Sequence, residues 1–443
     1  MKVLIITYFF PPLNSVASLR LYSFAKYLTE FGLDVTVFTT PKKNILNDND
    51  FFINNGYKVI ELPIPKPFKI ISINKLVNRF SKVTGVYYKN RFPDDSDRWL
   101  KPAVNYLKDF TFDVVISSYG PYVCHNIALN LKKYCRIKFW VADFRDLFTD
   151  SPIYTGIPFF YFIEKKMEQA FLNNADLITV VSQSMRNLLS LKTNKNIEVI
   201  YNGFFEENYD FVFNSNNLIS FNSLKNPDSN NLLKILYNKD ILKIVYTGTI
   251  YKSQKIDNLL VAISDLKKQG VLNFDNFRFI LAGSYDIIYD IKKYNLEDIY
   301  IYLGLLDFKD SLRLQYLADI LLMPLEEVNI KKADNIEKYK GILTGKLFEY
   351  LGLNLYKLTP IWVINKTIDD EKLEILINSG VSTIFFDDIN KIKNYLIKFL
   401  KDKEGALKEY RVNNKFISQF SRKKQAEKLY RVITNFFNFN IVK

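Results

Sequence analysis

The segment Gly341-Ile342-Leu343-Thr344-Gly345-Lys346-Leu347-Phe348-Glu349-Tyr350 joins a small Gly/Thr/Gly turn to an apolar-periodic helix. Lys346 falls in the first turn of that helix and Glu349 one turn later. The opening N–H groups of a helix have no intrahelical partner, and they suit an anion, above all a phosphate. Two glycines let backbone approach a ligand closely. A carboxylate one turn on is placed to accept hydrogen bonds from sugar hydroxyls. Phosphate and sugar hydroxyl together point to a nucleotide-sugar. A plainer alternative stands beside this one: Thr344 as an ordinary N-cap, and Lys346 with Glu349 as helix-surface charges.

Size and composition narrow the classes. A chain of 443 residues predicts two or three domains, and 48% apolar with 24% charged residues predicts globular folding rather than disorder. Cys124 and Cys135 have no His-rich partner segment, so neither a disulfide framework nor a metal site is indicated, and a reducing cytoplasm fits. The N-terminal MKVLIITYFFPPLNS reads as a buried first strand rather than a signal peptide. No window reaches the eighteen apolar residues of a membrane span.

The formal net charge of +14 favours anionic partners. Residues 64–92 contain no Asp or Glu but hold Lys66, Lys69, Lys75, Arg79, Lys82, Lys89 and Arg91. Ile73, Leu76, Val77, Phe80 and Val83 recur there at helical spacing. This segment reads either as an element lying on an anionic membrane surface or as an ordinary helix with a solvated basic face. Nucleic acid is not expected as a partner, because no recognisable binding module accompanies the charge.

These groups need a scaffold, and the hydrophobic pattern supplies one. Apolar runs at Lys2–Thr7, Val35–Phe38, Val59–Leu62, Val114–Ser117, Lys138–Val141, Ile178–Val181 and Glu198–Tyr201 alternate with amphipathic stretches such as Leu19–Phe31, Val123–Tyr134 and Gln183–Leu191. Alternation of this kind predicts a doubly wound parallel sheet. After Asn202-Gly203 an Asn/Ser-rich region, 206–240, reads as linker and irregular insertion. The pattern then restarts at Lys243–Tyr246 and continues through helix 256–268, strands 277–282, 299–303 and 320–323, helix 309–318 and strand 361–364. The expected fold class is α/β, with two Rossmann-like doubly wound domains over 1–205 and 241–415. A terminal helix within 416–443, about Arg422 to Phe436, is expected to dock on a domain surface. Ligands of open α/β sheets bind beyond the carboxyl ends of the strands, so a site in a cleft between the two domains is expected.

Several ordered segments resemble one family. They are Tyr8-Phe9-Phe10-Pro11-Pro12 with Ser18-Leu19-Arg20, Phe92-Pro93-Asp94 with Trp99, and Ser117-Ser118-Tyr119-Gly120-Pro121 with His125. Ala142-Asp143-Phe144-Arg145-Asp146-Leu147-Phe148, Val180-Val181-Ser182, Tyr201-Asn202-Gly203-Phe204, Tyr246-Thr247-Gly248-Thr249-Ile250-Tyr251 and Ala318-Asp319-Ile320-Leu321-Leu322 follow, and then the Gly341 segment. In this order, over nearly the whole chain, they resemble family 4 (group 1) glycosyltransferases of GT-B architecture, in the branch serving bacterial surface-polysaccharide synthesis of the capsule or O-antigen type.

The resemblance implies transfer of a sugar from a nucleoside-diphosphate donor to a saccharide or lipid-linked acceptor hydroxyl, with retention and without metal or other cofactor. It places the acceptor in the N-terminal domain and the donor in the C-terminal one, in the cytoplasm or on the inner face of the membrane. It implies donor-binding roles for Gly248, Thr249, Lys252, Lys255, Gly341, Ile342, Leu343, Thr344, Gly345, Lys346 and Glu349. Lys252 and Lys255 are both available to the phosphates, and the sequence does not choose between them; both also read as solvated loop charges. His125, the one histidine, reads either as a satisfied structural residue or, as its family counterpart implies, as a contact to the donor sugar; Arg145 and Asp146, which follow a strand end, read either as a structural ion pair or, as expected here, as cleft residues with no specific step assigned. Asn14, Ser15 and Arg20 form the loop expected to meet phosphate or acceptor.

Three departures from the family pattern stand out. Gly341 replaces the first glutamate of its Glu-x7-Glu motif, Thr249 replaces an arginine, and the Asn14 loop lacks the usual glycines. They motivate a second hypothesis, a catalytically degenerate GT-B scaffold that binds a partner glycosyltransferase. A sugar-nucleotide epimerase would need more acid/base groups than a chain with one histidine offers. The base, sugar, acceptor, linkage and oligomeric state are not legible.

Overall fold

The computed structural model describes residues 1–13, 15–42, 56–66, 91–134, 136–152, 156–214, 229–251, 253–325, 341–365 and 367–441. Asn14, Cys135, Lys252 and most of the basic segment 64–92 lie outside them. The described residues divide into two compact units. The first comprises residues 1–202, Gly341-Ile342 and the helix from Arg422; the second comprises 203–325 and 343–421.

The first unit is built on strands β1 (Lys2–Ile6), β2 (Asp34–Thr39), β3 (Lys58–Glu61), β4 (Phe112–Ser118), β5 (Ile137–Phe144), β6 (Leu177–Val180) and β7 (Ile197–Val199). All pair in parallel, in the spatial order β3-β2-β1-β4-β5-β6-β7. Register is set by pairs such as Val3 with Val114 and Ile116 with Val141. The central strands are apolar on both faces because helices cover both, burying Leu4, Ile6, Val115, Trp140 and Ile178. Helix Val16–Glu30 starts where Ser15 Oγ accepts the Ser18 N–H. It stops before Gly32, whose φ of +87° suits a residue without a side chain. The last helix, Arg422–Ile441, lies on this unit. Lys423 pairs with Glu30, Tyr430 packs on Phe31, and Phe436 meets Phe139 at 4.2 Å between ring centres.

The second unit repeats the plan with β8 (Leu242–Thr247), β9 (Phe277–Ala282), β10 (Tyr300–Tyr302), β11 (Ile320–Pro324), β12 (Ile361–Ile364) and β13 (Ser382–Ile384). These six strands are again parallel, ordered β10-β9-β8-β11-β12-β13. Ile244, Phe279, Leu322 and Trp362 fill its core. The region read as irregular, 206–240, contains helices Glu206–Asn214 and Ser229–Tyr237. Its polar composition hides them, but Tyr209, Leu232 and Leu236 are buried, and that burial fixes the local structure.

No helix among the described residues is long and apolar enough to cross a membrane.

Candidate functional site

Each sheet reverses direction of growth once: the chain works outward from β1 to β3 before returning to β4, and from β8 to β10 before returning to β11. Such switch points are where open α/β sheets accept ligands, at the strands' carboxyl ends. In the second unit, β8 ends there at Thr247. The turn after it packs close against the turn after β9. The Gly248 N–H donates to the Ala282 carbonyl, and a Cβ on Gly283 would lie 2.2 Å from the Gly248 oxygen. Only glycine fits at 283. Thr249 Oγ1 accepts the Ser284 N–H, joining the two turns.

Helix Gly345–Leu353 points its first turn into the same group. Thr344 is at the N-cap but its hydroxyl makes no capping bond, and among the described residues neither Gly345 nor Lys346 finds a partner for its N–H. Lys346 Nζ stands 2.6 Å from Glu349 Oε2. Gln315, on helix Phe308–Leu317, donates its amide to that same oxygen at 3.2 Å and to Thr247 Oγ1 at 2.8 Å. The Tyr209 hydroxyl donates to the Glu349 carbonyl at 2.6 Å. Thr247, Gln315, Lys346 and Glu349 therefore form one hydrogen-bonded cluster at the end of β8. Glu349 Oε1 accepts no hydrogen bond from a described residue, and both charged side chains are partly exposed. The arrangement offers a cation, two unpaired amides and a held carboxylate within two helical turns.

Sequence reasoning named Lys346 and Glu349 but missed Gln315, Thr247 and Tyr209, which hold them. Lys255 is exposed on the loop after β8, and Leu343 is buried in the second unit. Gly341 and Ile342 belong to the first unit. The φ of Gly341 is +76°, and a Cβ there would meet Ser182 Oγ at 2.5 Å and Ser184 Cβ at 2.6 Å. The missing glutamate at this position is thus matched by a backbone that excludes any side chain.

In the first unit, the residues expected at the site are largely engaged by the protein itself. Arg20, expected to contact an anion, is buried and bonded on all sides. Its Nη2 lies 2.7 Å from Asp143 Oδ1, and its Nη1 donates to the Ile200 carbonyl at 2.7 Å. Asp143, on β5, also accepts from Ser118 Oγ and Thr179 Oγ1. Burial alone would raise that carboxyl, but the Arg20 charge and the converging donors hold it below the ordinary carboxylate range. This network ties the ends of β4, β5 and β6 to helix Val16–Glu30 and is structural. Ser15 serves as the cap of that helix.

His125, expected to meet the donor sugar, is enclosed in the core instead. It packs among Tyr119, Trp140, Phe144 and Phe171. Nδ1 pairs with Ser117 Oγ at 2.7 Å, while Nε2 is buried without a partner. An early helix position after a strand end is shared by core-facing and site-facing residues, and here the core face won. Burial lowers its pKa to about 3, with Asp143 opposing. The folded imidazole stays neutral where the unfolded one, titrating near 6.5, gains a proton. The stability it contributes is complete above pH 6.5 and is lost as pH falls toward 3, at about 1.4 kcal/mol per pH unit. Urea unfolding followed from pH 6.5 to 5 should show this slope, and His125→Phe should flatten it.

Arg145 donates to the Tyr119 and Gly120 carbonyls at 2.7 Å each and lies over the Phe9 ring. It braces the turn after β4. Asp146, next along, makes no hydrogen bond with a described residue; burial pushes its carboxyl up, Arg145 opposes and Asp143 reinforces. Lys42, beyond the end of β2, stands 4.0 Å from the Tyr8 ring centre, and burial lowers its pKa to about 8. The sequence carried no signal for it. Among the described residues no three His, Cys, Asp or Glu stand together as a metal site.

Two doubly wound parallel units, each with a switch point, make up the GT-B architecture. Residues 17–207 match the model of Glycosyltransferase Family 4. No curated protein matches the sequence. In fold the chain is similar to sucrose-phosphate synthase from Thermosynechococcus elongatus, at 14% identity and a TM-score of 0.63, over 99% of either chain. It is also similar to WaaG, a glycosyltransferase involved in lipopolysaccharide biosynthesis, at 12% identity and a TM-score of 0.54, over 98% of this chain and 99% of that one. UDP-GlcNAc 2-epimerase from Methanocaldococcus jannaschii shares the fold at 13% identity and a TM-score of 0.57, over 98% of this chain and all of that one.

Proposed function

We propose that this chain moves a sugar from a nucleoside-diphosphate donor to an acceptor hydroxyl, with retention at the anomeric carbon, in bacterial surface-polysaccharide synthesis. The observation that carries the reading is the Thr247–Gln315–Lys346–Glu349 cluster at the carboxyl end of β8. In this reading the Gly345 and Lys346 amides and the Lys346 ammonium take the charge that develops on the departing diphosphate. Glu349, held by Gln315 through Oε2, accepts ribose hydroxyls on Oε1. No metal or other cofactor is assigned a part. In the first unit, Asp146 at the end of β5 is the group proposed to meet the acceptor hydroxyl, with Arg145 fixing the turn beside it. A saccharide or lipid-linked acceptor at the inner face of the cell membrane fits the role.

The test is incubation of the purified chain with radiolabelled UDP-, GDP- and TDP-sugars and lipid-linked acceptors. Transfer with the donor's anomeric configuration kept is the expected result. Absence of both transfer and donor hydrolysis across the panel overturns it.

One observation favours a second reading, a scaffold without chemistry: the Gly341 backbone excludes the side chain that the family's glutamate would need. Calorimetric titration separates the two, since the scaffold predicts no binding of UDP or GDP at millimolar concentration.

A further inference from the structure

Helix Tyr161–Asn174 and the short turn Pro158–Phe160 before it present a surface that the transfer chemistry does not use. Phe159 is 83% exposed and Phe162 64% exposed, and Ile163 is exposed beside them. Large apolar side chains standing together in water are uncommon on a monomer and mark a surface that meets something. Two lysines frame them: Lys165 Nζ lies 4.7 Å from the Tyr161 ring centre and Lys166 Nζ 4.3 Å from that of Phe162.

The acids of the same segment all turn the other way. Between 150 and 174 the only acidic residues are Asp150, Glu164 and Glu168. Glu164 accepts from Arg91 Nε at 2.8 Å and from the Phe92 N–H at 2.9 Å. Glu168 accepts from the Thr149 hydroxyl at 2.6 Å and pairs with Lys192, which also pairs with Asp150. One face of the helix is therefore clamped to the unit by neutralised carboxylates. The opposite face carries aromatic rings and uncompensated positive charge.

We propose that Phe159, Phe162, Ile163, Lys165 and Lys166 form a docking surface for an anionic lipid bilayer. Aromatic side chains enter the headgroup region while adjacent ammonium groups stay at the lipid phosphates. The net charge of +14 draws the whole molecule toward such a surface. A second copy of this chain is the poorer occupant, because a two-fold contact through this patch would set Lys165 and Lys166 against the same lysines of the copy. The proposal does not rest on the donor chemistry, and its readout is independent of sugar transfer.

The experiment is co-sedimentation of the full chain with vesicles of phosphatidylglycerol and phosphatidylcholine in equal parts, against vesicles of phosphatidylcholine alone. The chain should bind the anionic vesicles and lose them in 1 M salt. Phe159→Ser with Phe162→Ser should lower the partition at least about tenfold with Tm unchanged. Lys165→Glu with Lys166→Glu should lower it by more than about fivefold per lysine, since each change also adds a negative charge. Transfer to a water-soluble acceptor should be the same in all of them. Parent-like binding by the double serine variant overturns the proposal. So does a parent that ignores the vesicles and sediments as a dimer that Phe162→Ser dissociates.

Discussion

Lys346→Ala is expected to lower kcat/KM for sugar transfer by about 10²- to 10³-fold, the usual loss when one preorganised group aimed at developing charge is removed. The structure explains why the loss should be in kcat rather than in folding. Lys346 is partly exposed and pairs with Glu349, one turn away on the same helix. An exposed pair of this kind contributes little to stability. The backbone amides of the first turn remain in the variant, so donor affinity should fall less than rate. Lys346→Arg should recover part of the rate by restoring the charge with altered reach. Steady-state kinetics with Tm measured in parallel checks the claim; unchanged kcat in Lys346→Ala would remove this lysine from the leaving-group site.

The largest stability effect is expected from the first unit. Arg20→Met leaves the Asp143 carboxylate buried with only Ser118 and Thr179 to satisfy it, and frees the Ile200 carbonyl as well. Removing one partner of a buried pair typically costs about 3–5 kcal/mol. Asp143→Leu alone should cost a similar amount by stranding the guanidinium. The double variant should be less damaging than the sum, since both charges disappear together. Chemical denaturation of the four proteins closes the cycle. Strict additivity would show that the 2.7 Å contact carries no coupling.

The first sheet and five strands of the second were legible because most strands are short apolar runs and many of the helices between them have an apolar stripe; the ends of β1, β4, β8 and β11 differ from the sequence expectation by one or two residues, and the short edge strand β13 gave no such run. The hydrogen-bonded partners were not. Arg20 and Asp143 are 123 positions apart, and nothing local marks either as half of a pair. Gln315 sits unremarked in an amphipathic helix, and its role appears only when Thr247 and Glu349 are brought to it by the sheet. The orientation of His125 was not legible because its position after the β4 turn is consistent with two opposite orientations, and the choice depends on four aromatic rings, two from β5, one from helix Tyr161–Asn174 and one from its own turn. The polar stretch 206–240 hid Tyr209, whose hydroxyl anchors the backbone of the Lys346 helix from outside the sheet pattern.

The helix Arg422–Ile441 has a consequence for biosynthesis. It covers helix Val16–Glu30, yet it leaves the ribosome only after every residue of the second unit has been made. The lobe that begins first is thus completed last, and until then Phe31, at the end of its opening helix, and Phe139, on β5, lack the rings that pack on them. A nascent chain stalled before residue 422 should bind holdase chaperones through those bare rings, and release should coincide with emergence of the terminal segment.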